Sequence, residues 1–205
     1  ASNHFKWMNS FDKVNEQSIA ASISIPKYDL LLSADYTSYK NVLFFDQQAL
    51  PKQYDGTLNM FSVQLKKDFS FFNWHLNNHV TYQKVPNYSV IRAPEWMLQH
   101  SLFYENDLFK KALRLQIGFE VFYNTAFYSN AYMPVLGEFY LQSKAMYGNY
   151  PMVDFFLNMK IKIVNAFFKI EHLNSGFSGN TYMLTPHYAM AQRIFTFGVS
   201  WKLFN

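Results

Sequence analysis

The segment from Phe195 to Asn205, FTFGVSWKLFN, alternates with a period of two. Phe195, Phe197, Val199, Trp201 and Leu203 fall on one side, and Thr196, Gly198, Ser200 and Lys202 on the other. Successive side chains of a strand point to opposite faces, so this is a strand with one apolar and one polar face. About ten such residues is the length a tilted strand needs to cross the hydrocarbon of a bilayer. The fold expected is all-β: a transmembrane antiparallel up-and-down β-barrel of a bacterial outer membrane. One side of each strand would meet lipid and the other a wet or packed lumen. A soluble β-sandwich also alternates, but it seldom places Phe and Tyr on so many outward faces.

Half of the residues are apolar and 20% are aromatic, with 15 Tyr and 22 Phe, yet the mean hydropathy is only -0.16. Apolar and polar residues are therefore interleaved. Unbroken apolar runs such as Val42 to Phe45 fall far short of the roughly 20 residues a membrane-crossing helix requires. The aromatic excess fits the girdles that flank a barrel's apolar band. The absence of cysteine removes disulfides, thiolate zinc sites and cysteine nucleophiles together, and suits an oxidising periplasmic route. The opening ASNHFKWMN has neither a basic nor an apolar leader region, so any secretory signal is expected to have been removed or to lie upstream. Net charge is +4, without the basic clusters beside stacking aromatics that nucleic-acid binding needs.

Alternation and turn chemistry predict about ten strands in one domain spanning 1–205. They lie near 3–9, 16–25, 29–43, 57–69, 73–84, 96–105, 112–124, 152–162, 166–173 and 193–205. The clearest sets Leu113, Leu115, Ile117, Phe119, Val121 and Tyr123 against Arg114, Gln116, Gly118, Glu120 and Asn124. Two polar residues, Asn78 and His100, fall on the lipid side of their strands, implying either a register shift or a position near the interface. Connections alternate between short (26–29, 70–73, 106–111, 162–165) and long (45–56, 85–95, 125–151, 174–192). Short turns belong in the periplasm and long loops outside.

Several segments carry a resemblance: FFDQQALPKQYDG (Phe44 to Gly56), RAPEW (Arg92 to Trp96), Ser101 to Gln142, GNYPMVDFFLN (Gly148 to Asn158), FFKIEHLNSG (Phe167 to Gly176) and FGVSWKLFN (Phe197 to Asn205). GNYP-x-VD followed by FFK-x-EHLN and a terminal FG-x-SW is specific as a set. Together they resemble the putative porin family of Bacteroidota outer membranes. The resemblance implies an outer-membrane barrel acting as a passive channel, with no enzymatic activity and no catalytic residues to carry over. Family members are considerably longer and the match is to their C-terminal part, so the chain reads as the closing portion of a larger barrel. It ends on Asn205, with the aromatic Phe204 one place before, whereas insertion signals commonly end on the aromatic itself.

His75 and His79 have a spacing that suits metal binding on a helix. On a strand, four residues separate them by roughly 13 Å, so a polar lumen pair is expected and no metal or cofactor. No H-E-x-x-H, G-x-S-x-G or phosphate-cradling loop occurs. Asp46, Glu95, Ser175 and His187 would sit at the outer rim, but nothing in their spacing pairs an acid with a base. The inward-facing candidates are Asp35, Gln64, Lys66, His75, His79, Arg114, Gln116, Glu120, Asp154, Lys160, Lys169 and Glu171. With them go Ser22, Ser24, Thr37, Ser62, Asp68, Asn77, Gln83, Asn158, Lys162 and Lys202. These charges either satisfy one another across neighbouring strands or line a channel whose slight basic excess favours anionic or neutral solutes. Lys27, Lys66, Lys67, Lys110, Lys111, Lys160, Lys162 and Lys202 fall at or beside the short turns, a ring able to snorkel to lipid phosphates.

Two functions fit. One is an outer-membrane channel for passive diffusion of small polar solutes, with the loop 125–151 folding inward. The other is a structural or partner-binding barrel whose aromatic loops dock other outer-membrane proteins or lipoproteins. Its support is the segment FYSNAYMPVLGEFYLQSKAMYGNYP, nearly uncharged and rich in Tyr, Phe and Met, a mix typical of interface cores.

Overall fold

The computed structural model describes residues 7–85, 89–177 and 182–201. In chain order the strands are β1 (Asn15–Ile25), β2 (Leu30–Lys40), β3 (Leu43–Phe45), β4 (Pro51–Gln53), β5 (Thr57–Phe71), β6 (Trp74–Lys84), β7 (Trp96–Leu108), β8 (Leu113–Asn124), β9 (Ala131–Met133), β10 (Glu138–Tyr140), β11 (Met152–Ile161), β12 (Val164–Glu171), β13 (Met183–Thr185), β14 (Tyr188–Ala189) and β15 (Ile194–Trp201). Nine of them form one antiparallel sheet in the order β1-β2-β5-β6-β7-β8-β11-β12-β15. The other six pair as three hairpins, β3 with β4, β9 with β10 and β13 with β14. Among the described residues no ladder joins β1 to β15, so the sheet is open along both edges.

Tight turns make up one end of the sheet. Phe71 pairs with Trp74 and Ile161 with Val164, leaving two-residue connections. Each tight turn reverses through left-handed residues: Asp29 (φ 47°), Phe72 (φ 52°), Phe109 to Lys111 (φ 51°, 54° and 68°) and Lys162 (φ 54°). That conformation costs an L-residue about 1–2 kcal/mol, and the ladders on either side hold it.

The opposite end is a packed cap. All three small hairpins arise within the long connections, and these connections bond to one another. The Leu141 amide donates to Phe45 O at 2.9 Å, Gln47 Nε2 to Ser143 Oγ at 3.3 Å, and Thr185 Oγ1 to Asn130 O. The buried apolar residues Ala49, Leu58, Val85, Val90, Ala131 and Leu141 all lie in this cap or where strands run into it. The core of the chain is thus at the loop end, while the sheet's apolar face stays open. Ile19, Phe119 and Phe197 are 72%, 46% and 80% exposed.

The structure corrects several boundaries. The described part of the strand expected at 3–9 is not a strand, because residues 7–14 run as an irregular segment tied to the β3–β4 hairpin. Asn9 Nδ2 donates to Pro51 O (3.1 Å) and the Asp12 amide to Gln53 Oε1 (2.9 Å), side-chain amides taking the place of a ladder. Among the described residues the main sheet therefore has nine strands and not ten. β2 ends at Lys40, before the left-handed Asn41 (φ 60°), and 43–45 belongs to a hairpin. β5 and β7 extend to Phe71 and Leu108, so Lys66 and Lys67 lie within β5, away from the turn at its end, but Lys67 pairs with Leu30 beside the turn at 26–29 and its Nζ donates to Tyr28 O at 2.5 Å. Lys162 occupies a turn, and Lys202 and the strand end beyond Trp201 lie outside the described residues.

Candidate functional site

Direct cross-strand partners share a face of a sheet, and residues two apart on one strand do too. Asp35 pairs with Ser62, Lys66 with His79, His79 with Gln99, and Glu105 with Gln116. Glu120 pairs with Asp154 and Arg114 with Lys160, and Phe156 with Lys169. Carried strand to strand, this register puts all twelve candidates on one face: Asp35, Gln64, Lys66, His75, His79, Arg114, Gln116, Glu120, Asp154, Lys160, Lys169 and Glu171. The reverse face carries Val63, Leu65, Leu102, Ile117, Phe119, Phe155 and Phe197 on the same ladders.

Much of the polar face is internally satisfied. Arg114 forms an ion pair with Glu105, which also accepts from Gln116 Nε2. Asn158 Nδ2 reaches Gln116 Oε1 at 3.3 Å, Gln99 Nε2 donates to Glu120 at 2.6 Å, Ser62 donates to Asp35, and Lys169 Nζ sits 2.8 Å from Asp154 Oδ2. Lys66 and Lys160 make no ion pair among the described residues. Lys66 and His79 stand opposite each other beside a shallow polar depression that Gln99, Ser101 and Glu120 also line, and His79 Nε2 is buried without a partner. His75, by contrast, stacks on Phe103 (4.9 Å between centroids) and meets Ser70 Oγ at 3.0 Å.

Alternation alone did not reveal the aromatic part of this face. Phe103 and Phe156 stand on either side of Gly118, their centroids 6.1 Å apart, and Phe167 lies over Gly198. A Cβ on Gly118 would come 2.4 Å from Leu102 O and from Phe103 Cβ, and one on Gly198 would come 2.4 Å from the Phe167 ring. Glycine is needed where the rings cover the backbone. The signal, a glycine in the polar row opposite a phenylalanine on the next strand, becomes readable only once register is known.

Where the polar face meets the cap, two of the sequence segments interlock. His172, only 3% exposed and left-handed (φ 52°), directs Nδ1 at Ala191 O, 2.7 Å away. A carbonyl only accepts, so Nδ1 carries the proton and Nε2 accepts from the Tyr150 hydroxyl at 2.8 Å. The His172 amide donates to Asp154 Oδ1 at 2.8 Å, so Asp154 holds this loop with one oxygen and Lys169 with the other. Asn174 Oδ1 accepts from the Val153 amide (3.0 Å), and its Nδ2 donates to Pro151 O (2.8 Å). Burial, together with the neighbouring Tyr182 on which Tyr150 stacks at 3.5 Å, pushes the Tyr150 hydroxyl up to about 12. Tyr150, Asp154, Lys169, His172 and Asn174 all come from GNYPMVDFFLN and FFKIEHLN.

The profile of the putative porin family matches residues 1–205. The chain belongs to the putative porin family. No curated protein matches it. Among solved structures it is similar to the FrpB iron transporter from Neisseria meningitidis (F3-3 variant), with a TM-score of 0.58 and 13% identity over 91% of this chain and 30% of that one. At that identity the likeness concerns fold alone, and this porin-family chain spans less than a third of the transporter's length.

The residues expected at the outer rim do not assemble. Asp46 bonds to Lys52 Nζ (2.8 Å) and to the amides of Gln48 and Leu50 (2.9 and 3.0 Å). Burial pushes its carboxyl up, but these partners outweigh burial and hold it below its ordinary value. Among the described residues, none of Asp46, Glu95, Ser175 and His187 hydrogen-bonds to another.

Proposed function

We propose that the chain is the portion of an outer-membrane β-barrel that carries a porin-like channel for passive diffusion of small polar solutes. The observation that supports this is the division of the sheet into two faces, twelve polar and charged candidates on one and an open apolar surface on the other. An apolar surface of that extent suits lipid, and the polar face then lines the lumen. Both sheet edges would leave backbone groups unsatisfied in hydrocarbon, at several kcal/mol each, so further strands complete the wall. Water-filled porins use about 16 to 18 strands, more than the nine here. Arg114 and Lys169 are neutralised by Glu105 and Asp154, whereas Lys66, Lys160, Asp35, Glu120 and Glu171 make no ion pair among the described residues, so charges of both signs are left to act on small polar solutes. No catalytic step is part of this reading. Conductance of the complete protein in planar bilayers tests it: stepwise ohmic openings shifted toward cations by Lys66→Gln are expected, and a persistently closed barrel is evidence against a channel.

The cap favours a second reading, a barrel that docks other outer-membrane proteins or lipoproteins. Val135, Phe139, Met146 and Leu184 are 61%, 56%, 54% and 59% exposed on it, apolar residues a solvated loop gains nothing by displaying. Closed bilayers, together with a partner lost on Phe139→Ser, would favour this alternative.

A further inference from the structure

Within the cap, a cleft of about 530 Å³ opens between the segment after Trp7, the β3–β4 hairpin and the β9–β10 hairpin. That size is in the range of small-molecule sites. Trp7, Phe11, Phe44, Phe45, Phe139 and Leu141 supply apolar walls, with Trp7 edge-on to Phe45 at 6.3 Å. Two of the residues lining it carry buried polar atoms with no hydrogen-bond partner, Arg92 Nε and Asn130 Oδ1. Arg92 has no carboxylate within ion-pairing distance among the described residues. Its Nη2 donates to Ser143 Oγ (3.2 Å), and its guanidinium lies 5.4 Å from the Tyr128 centroid. Burial depresses the Arg92 pKa, the sign of a cation poorly compensated by its surroundings. Glu138 also lines the cleft, but it is exposed and water screens its charge.

We propose that this cleft binds a compact aromatic or aliphatic molecule carrying one oxyanion. The oxyanion pairs with the Arg92 guanidinium, the apolar body lies against the Phe and Trp walls, and a hydroxyl or N–H of the ligand donates to Asn130, small side-chain shifts uncovering the buried Nε and Oδ1. Groups left unpaired when buried favour a ligand that pairs them, and a guanidinium favours a charged acceptor over a neutral one. The site lies in the cap and does not depend on whether the barrel conducts.

The test uses the complete protein in detergent and fluorine NMR with two probes of equal size, 4-fluorophenylacetate and the neutral 4-fluorophenylacetamide. Saturable broadening is expected for the acid at about tenfold lower concentration than for the amide. Arg92→Gln should abolish that preference. Leu43→Trp, which fills the cleft from a wall residue that is 47% exposed, should abolish saturable binding of both probes, and it stands as the test should Arg92→Gln fail to assemble. Equal affinity for acid and amide, acid binding that survives Leu43→Trp, or broadening that never saturates would each overturn the proposal.

Discussion

Asn78 and His100 face each other across β6 and β7 on the apolar face of the sheet, and His100 Nδ1 lies 2.8 Å from Asn78 Oδ1. Because Asn78 Nδ2 donates to Lys67 O at 2.9 Å, Oδ1 is the acceptor and Nδ1 of His100 carries the proton. The two residues that break the alternation thus satisfy each other, with no shift of register. Truncating one should leave the other unpaired on an apolar surface. His100→Leu is expected to destabilise the folded protein by roughly 1–3 kcal/mol, while the double change Asn78→Leu with His100→Leu should recover most of that loss. Urea unfolding in lipid vesicles measures both, and a double variant no better than the single would contradict the pairing.

Neighbouring positions on β8 should differ sharply. Phe119 meets Phe155 edge-on at 5.5 Å on the apolar face, and Glu120 accepts from Gln99 on the polar one. Phe119→Arg should cost roughly 2–4 kcal/mol in a membrane and Glu120→Arg much less. Equal damage in the same unfolding assay would contradict the facing.

Asp154 links β12 to the loop after it through Lys169 and the His172 amide. Its loss should weaken the folded state by about 2 kcal/mol, discounted because Lys169 keeps a third of its side chain in solvent. The damage should be local, with faster proteolysis between residues 174 and 192 and little change in the strands. Asp154→Asn keeps an acceptor for the His172 amide and should be milder than Asp154→Ala.

Acid should loosen the β3–β4 hairpin first through Asp46. The folded carboxyl titrates below its ordinary value, so its contribution is fully present above the unfolded pKa of about 3.9 and is lost as pH falls through the lower folded value. The protection factors of the Gln48 and Leu50 amides, that is, exchange corrected for its intrinsic pH dependence, should be unchanged from neutrality to about pH 4 and fall below it. In Asp46→Asn the step should vanish.

Orientation is expected from the short turns, where Phe72 and Phe109 are 86% and 77% exposed and Lys110 and Lys111 follow Phe109 in the chain, an arrangement suited to a lipid interface. A tag inserted after Gly137, where a Cβ meets nothing within 4 Å, should be labelled on intact cells, and one after Lys110 should not. The opposite pattern would reverse the orientation.

Strand alternation was legible because each face of a strand meets one environment along its whole length. β8 and β11 came within a residue of their observed bounds, and Phe195, Phe197, Val199 and Trp201 share the apolar face as their spacing implies. Residues 7–9 were misread because a short alternating run does not say whether a neighbouring strand is free to pair with it. Here the side chains of Asn9, Asn41 and Gln53 took up the backbone groups instead. That the twelve polar candidates share one face was legible from parity alone, whereas the Phe103, Phe156 and Gly118 contact needs the register of three strands. The cluster of Tyr150, Asp154 and His172 depends on a left-handed residue and a returning loop, neither of which leaves a periodic trace.

One face of the sheet is expected to meet water and the other lipid, and the chain contains no cysteine, so single cysteines can report the facing directly. In the complete protein reconstituted in vesicles, cysteines placed singly from Arg114 to Val121 should react with a membrane-impermeant thiol reagent at 114, 116, 118 and 120. Those at 115, 117, 119 and 121 should instead be protected from it and, once carrying a fluorophore, be quenched by nitroxide lipids. Uniform reactivity along β8, or quenching without alternation, would contradict the account.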